Sequence, residues 1–149
     1  MKRLLLLIML LLPCSAMASI PEVQKLAQAF TDNDKASVVN ISKQMLMMMG
    51  GGISGVEYVD SIVMLSSDNK SASKAINKRT KRIAKKYQLE NLATLNEGGV
   101  ITTVYIKTSN NRITEALVLV AEKSKVSLIN ISGKIPQEFA TTLLSTLRF

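Results

Sequence analysis

Histidine and tryptophan are absent from this 149-residue sequence, and cysteine occurs once, as Cys14. Without histidine, a catalytic triad with an imidazole base and a Cys/His zinc site are both excluded. Cys14 lies inside a stretch with the form of an export signal, so the mature chain has no thiol nucleophile and no disulfide staple. The fold must therefore hold by packing alone. Aromatic residues make up 4% of the chain, and none interleaves with the main cluster of basic residues as a stacking platform would. No sequence motif marks a catalytic residue, a cofactor site or a metal site, and none of the three is expected.

Long apolar runs are equally scarce: one opens the chain. Met1-Lys2-Arg3 is followed by Leu4 to Leu12, then Pro13, then Ser15-Ala16-Met17-Ala18. A charged start, a short apolar run and an A-x-A site describe a secretory signal peptide cleaved after Ala18. A membrane-spanning helix needs roughly 20 consecutive apolar residues, and Pro13 ends this run too early. Lipoprotein processing at Cys14 is the weaker reading, because Pro13 stands where a small residue normally precedes the acylated cysteine. Residues 1–18 are thus expected to be removed and 19–149 to form a single domain, periplasmic or secreted, with no transmembrane segment.

The region Val100 to Ser132 organises the rest. Its three runs of β-branched and aliphatic residues are separated by Ser109-Asn110-Asn111 and by Glu122-Lys123-Ser124-Lys125. These breaks have hairpin length, which predicts an antiparallel meander. On the first run, residues 100, 102, 104 and 106 are predicted to face the core, with Thr103, Tyr105 and Lys107 outside. Ala116 to Ala121 does not alternate and reads as a central strand buried on both faces.

Before the meander, Ser19-Ile20-Pro21-Glu22 begins a helix whose Val23, Leu26, Ala27 and Phe30 share one face. Asp32 and Asp34 suggest a calcium loop, but Ser37 and Lys43 replace its required glycine and glutamate, so a helix-ending turn is expected. Val38 to Ile41 has strand composition. Ser42 caps a short helix through Met49, stopped by Gly50-Gly51-Gly52. Its Met45, Met47, Met48 and Met49 fit flexible core packing, with a Cu(I) site based on Met45 and Met49, or an adaptable partner patch, as the alternatives. Val56 to Leu65 and Asn91 to Asn96 read as further strands. After the meander, Gly133 and Pro136 suggest a turn into a last helix carrying Phe139, Leu143, Leu144 and Leu147.

The strongest signal is electrostatic. Between Asp68 and Glu90 stand Lys70, Lys74, Lys78, Arg79, Lys81, Arg82, Lys85 and Lys86, with no acidic residue. The formal charge of +8 falls to +6 without Lys2 and Arg3, and to −2 once these eight are set aside. The positive charge is local. The segment reads as a helix from about Ser71 to Tyr87 with Ala72, Ile76, Thr80, Ile83 and Tyr87 as its inner stripe. Like charges at i, i+4 cost on the order of 1–2 kcal/mol in all, which buried isoleucines at about 1.5–3 kcal/mol each outweigh. The outer face is either merely solvated or an anion-facing surface, and Lys74, Lys78, Lys81, Arg82, Lys85 and Lys86 are the candidate contact residues. Membrane insertion is not supported by so thin an apolar stripe.

The order of Val39-Asn40-Ile41-Ser42-Lys43-Gln44-Met45-Leu46, Val59-Asp60-Ser61-Ile62-Val63-Met64-Leu65, Val104-Tyr105-Ile106-Lys107, Ile113-Thr114-Glu115-Ala116-Leu117-Val118-Leu119 and Leu128-Ile129-Asn130-Ile131-Ser132-Gly133-Lys134-Ile135 resembles the small exported bacterial proteins of domain-of-unknown-function family 4252. The resemblance spans nearly all of residues 19–149. It implies an envelope-associated protein and brings no catalytic residues with it.

The expected architecture is α+β: one antiparallel sheet of about five strands with helices packed mainly on one face. The expected function is a non-enzymatic exported binding or interaction module, whose partner is an envelope protein or an anionic envelope component and not nucleic acid. A small enzyme using Asp60 and Glu115 with Tyr105 is the alternative from a different class.

Overall fold

In a computed structural model, residues 20–31, 34–49 and 55–139 are described. They form a six-stranded antiparallel sheet: β1 (Ser37–Ser42), β2 (Val59–Ser67), β3 (Glu90–Glu97), β4 (Val100–Ser109), β5 (Arg112–Glu122) and β6 (Lys125–Pro136). Among the described residues three α-helices accompany it, α1 (Pro21–Thr31), α2 (Lys43–Met49) and α3 (Lys70–Lys86), with a single 3-10 turn at Val56–Tyr58 where strand was expected. Residues 137–139 after Pro136 are helical, as expected. The strand order is β1-β2-β6-β5-β4-β3, one strand more than expected and otherwise the anticipated α+β design. The proposed signal peptide, the acidic turn at Asp32-Asn33 and Leu143, Leu144 and Leu147 lie outside the described residues.

Local chemistry sets the hairpins. Glu97 pairs with Val100, Ser109 with Arg112, and Glu122 with Lys125, so each connection is two residues long. Such loops favour positive φ at their central residues. Asn110 and Asn111 adopt φ of 53° and 63°, and Gly98 and Gly99 adopt 59° and 87°. Asparagine and glycine tolerate this left-handed backbone better than other residues.

The two sheet faces are covered differently. On one, Val63 and Leu65 of β2, Leu117 and Leu119 of β5, and Val126 and Leu128 of β6 meet Leu26 of α1 and Ile76 and Ile83 of α3. The other face gathers Val59, Val104, Ile106, Ile113, Val118 and Ile135, with Leu46, Tyr58 and Phe139 packed against them. Leu117, Val118 and Leu119 are consecutive and all buried, which bears out a central strand covered on both sides. Each large aliphatic side chain so buried contributes about 1.5–3 kcal/mol.

Three expectations are corrected. Thr103 is buried and Tyr105 packs against the helix-covered core, because α1 and α3 cover the face on which solvent was expected. Gly133 lies within β6, opposite Val59, and makes no turn. A Cβ there would stand 2.1 Å from the Tyr58 carbonyl oxygen, so glycine is required by close backbone approach. Finally, no residue of α2 is buried. Its methionines stand outside the core that their composition suggested, since a seven-residue helix at the β1 edge can seat little more than Leu46 on the sheet.

Candidate functional site

Helix α3 is fixed at both ends and along its inner stripe. Asn69 Oδ1 accepts the Ala72 amide at 3.0 Å, a capping bond that satisfies one free donor of the first turn. At the other end Gln88 takes φ 52°, and the Leu89 amide donates to the Ala84 carbonyl at 2.9 Å, closing the helix in the manner usually built on glycine. Ser73 Oγ lies 2.6 Å from the Ser124 carbonyl oxygen and 3.1 Å from that of Ser67, tying the first turn to the β5–β6 hairpin. Ala72, Ile76, Thr80, Ile83 and Ala84 are buried. Thr80 Oγ1 donates to the Ile76 carbonyl at 2.7 Å, so this polar residue inside the stripe is satisfied.

With the inner stripe pinned, helical periodicity divides the basic residues into two rows. Lys70, Lys74, Lys78, Lys81 and Lys85 fall within about 80° of arc on the outward side, a row roughly 22 Å long. Arg79, Arg82 and Lys86 fall on the flank toward α1, where they line a cleft of about 170 Å³ with Glu22 and Ile83. All eight are exposed. Among the described residues, only Lys86 of the eight is ion-paired.

Lys86 Nζ stands 2.6 Å from Glu22 Oε1, and the Tyr87 hydroxyl donates to Glu22 Oε2. The Lys86 hydrogen bond and then that of Tyr87 pull the Glu22 carboxyl down to a pKa of about 2. The same bonds raise Lys86 and Tyr87 above their ordinary values. The flank row is thus partly neutralised by α1, whereas the outward row is exposed and has no ion-pair partner among the described residues.

Of the residues singled out from sequence, Lys74, Lys78, Lys81 and Lys85 share the outward row, and Arg82 and Lys86 belong to the flank. Lys70 extends the first row and Arg79 joins the second. Both lie on the same helical period, which was signal enough to include them.

Asp60, Glu115 and Tyr105 do not form one cluster: Tyr105 and Glu115 share the helix-covered face of the adjacent strands β4 and β5, opposite Leu117 and Lys107 respectively, and Asp60 lies apart from them. Asp60 pairs with Lys43 at 3.5 Å, beside α2. Glu115 lies on the helix-covered side, where its Oε2 accepts Asn130 Nδ2 and Ser132 Oγ, each at 2.9 Å. Burial, the largest influence, raises the Glu115 pKa to about 7, against the opposing effects of those two hydrogen bonds and of Lys107. This cluster follows from alternation in β6: Asn130 and Ser132 continue the inward series of Val126 and Leu128. A larger cleft of about 490 Å³ is lined by Asp34, Ser37, Ser66, Asp68, Lys125 and Ser127, among others. Glu115 lines neither of these two clefts. Met45, Met47, Met48 and Met49 lie at the surface of α2, 47–87% exposed.

Among the described residues, no group of three or more His, Cys, Asp or Glu side chains could hold a metal ion, and no helix is long and apolar enough to cross a membrane. No curated protein and no solved structure matches the chain. One family model does, over residues 30–141, and the chain belongs to the family described as a domain of unknown function, DUF4252.

Proposed function

We propose that this is an exported, non-enzymatic module that attaches to an anionic component of the cell envelope through the outward lysine row of α3. The observation that carries the reading is that row itself: five exposed lysines on one side of a helix, without an ion-pair partner among the described residues. Their mutual repulsion weakens an isolated helix, and here the inner stripe and the Ser73 tie hold it in place. Export is supported by the Met1–Ala18 signal, and the extracytoplasmic setting argues against nucleic acid as the partner.

Lysine suits a diffuse anionic surface. Its ammonium is a compact, hydrated point charge on a flexible stem, without the planar fork that arginine uses for bidentate recognition. At about 1 kcal/mol per basic residue near an anionic surface, five lysines supply about 5 kcal/mol. That corresponds to attachment in the range of about 0.1–1 mM, weak and sensitive to salt.

Replacing Lys74, Lys78, Lys81 and Lys85 together by Glu tests the reading. Retention of the mature protein on isolated envelope fractions is expected to be lost while the thermal transition stays cooperative. Unchanged retention would refute it.

A further inference from the structure

The exposed thioethers of α2 are not used by the lysine-row reading. Buried methionines fill gaps in cores, and that explanation fails here, because Met45, Met47, Met48 and Met49 are 47%, 61%, 87% and 72% exposed. Leu46 makes the helix's apolar contact with the sheet and so fixes which way the other side chains point. Counting about 100° per residue from Leu46, Met45, Met48 and Met49 fall on one flank within about 100° of arc, and Met47 falls on the opposite flank. The spacings i, i+3 and i, i+4 bring Met45 within about 5–6 Å of both Met48 and Met49 at Cβ, so Met45 is the shared neighbour of the other two. Three flexible thioethers at that separation can converge on one ion.

We propose that Met45, Met48 and Met49 form a site for a soft monovalent cation, Cu(I) or Ag(I). Thioethers are soft ligands that favour Cu(I) over hard cations. They are neutral at every pH, so no proton has to leave when the ion enters. The one charged side chain on the helix, Lys43, sits on the other flank and pairs with Asp60 at 3.5 Å, so α2 itself places no repelling charge on the methionine flank. The Ser42 hydroxyl accepts the Met45 amide at 3.3 Å, holding the first ligand in register at the helix start.

The test is a titration of the mature protein, residues 19–149, with Ag(I) nitrate in chloride-free buffer, following the methionine ε-methyl signals by NMR. One Ag(I) per chain is expected, with the Met45, Met48 and Met49 methyls shifting together and those of Met47 and Met64 unmoved. Leucine is close in shape and helix propensity, so Met45→Leu/Met48→Leu/Met49→Leu should keep the fold and lose Ag(I) affinity by roughly tenfold or more. Met47→Leu should retain it. Equal, independent shifts of all the methionines, or undiminished binding by the triple variant, would overturn the proposal. Retention on envelope fractions is a separate readout and should be unchanged in the triple variant, so this site and the lysine row can fail independently.

Discussion

The Lys86 ammonium stands 2.6 Å from Glu22 Oε1, and among the described residues this is the one ion pair made by the eight basic residues of α3. It joins the basic helix to α1, and its acid-side behaviour follows from the depressed pKa of Glu22. In the unfolded chain the carboxyl titrates near 4.5, and in the folded chain near 2. The stabilisation is therefore complete above about pH 4.5 and is lost as the pH falls toward 2. Thermal unfolding between pH 5 and 2 should show Glu22→Gln losing less stability across that window than the native chain. Parallel curves would contradict the assignment.

Glu115 has the opposite sign. Its folded pKa of about 7 lies above the ordinary value of 4.5, so the folded state holds the proton more tightly than the unfolded one. Stability is greatest below about pH 4.5, declines as the pH rises through 7, and is level above that, a change on the order of 3 kcal/mol. Glu115→Gln removes the buried charge while its carbonyl can still accept the Asn130 and Ser132 bonds. At pH 8 it should raise stability by about 1–3 kcal/mol, with little change at pH 4, as read by urea denaturation at both pH values.

Gly133 is a packing requirement. An added Cβ would meet the Tyr58 carbonyl oxygen at 2.1 Å and the Val59 Cα at 3.0 Å. Backbone cannot rotate away as a side chain can. Gly133→Ala should cost about 1–3 kcal/mol or more, measured by chemical denaturation, and native stability would show that the β2–β6 approach is looser than described.

Gln88 offers a change in the favourable direction. It holds φ 52° just past α3, a conformation that costs a non-glycine residue roughly 1 kcal/mol. Gln88→Gly should stabilise the domain by about 0.5–1 kcal/mol, visible as a higher Tm, without altering the lysine row.

Much of this architecture was legible because it is local. Asn110-Asn111 and Gly98-Gly99 announce two-residue turns, the unbroken Ala116 to Ala121 run announces a central strand, and the 3.6-residue period of α3 announces its inner stripe. What was misread depends on neighbours distant in sequence. Gly133 looks like a turn until Tyr58 is placed against it, and Tyr105 looks solvent-facing until α1 and α3 are laid over its face. The α2 methionines have the composition of a core, and only the exposure of that short helix removes them from it. The Glu115–Asn130–Ser132 cluster left a trace in β6, where polar residues continue an inward apolar series.

The central claim is that the outward lysines of α3 carry attachment to an anionic surface. Its most direct test is the binding of purified residues 19–149 to phosphatidylglycerol vesicles as salt is raised, beside Lys74→Gln/Lys78→Gln/Lys81→Gln/Lys85→Gln and phosphatidylcholine vesicles. Binding of the native chain should be confined to the anionic vesicles and fade as salt shortens the Debye length from about 30 Å at 0.01 M to about 8 Å at 0.15 M, with the variant failing to bind throughout. Salt-independent binding, or equal binding by native chain and variant, would contradict the account.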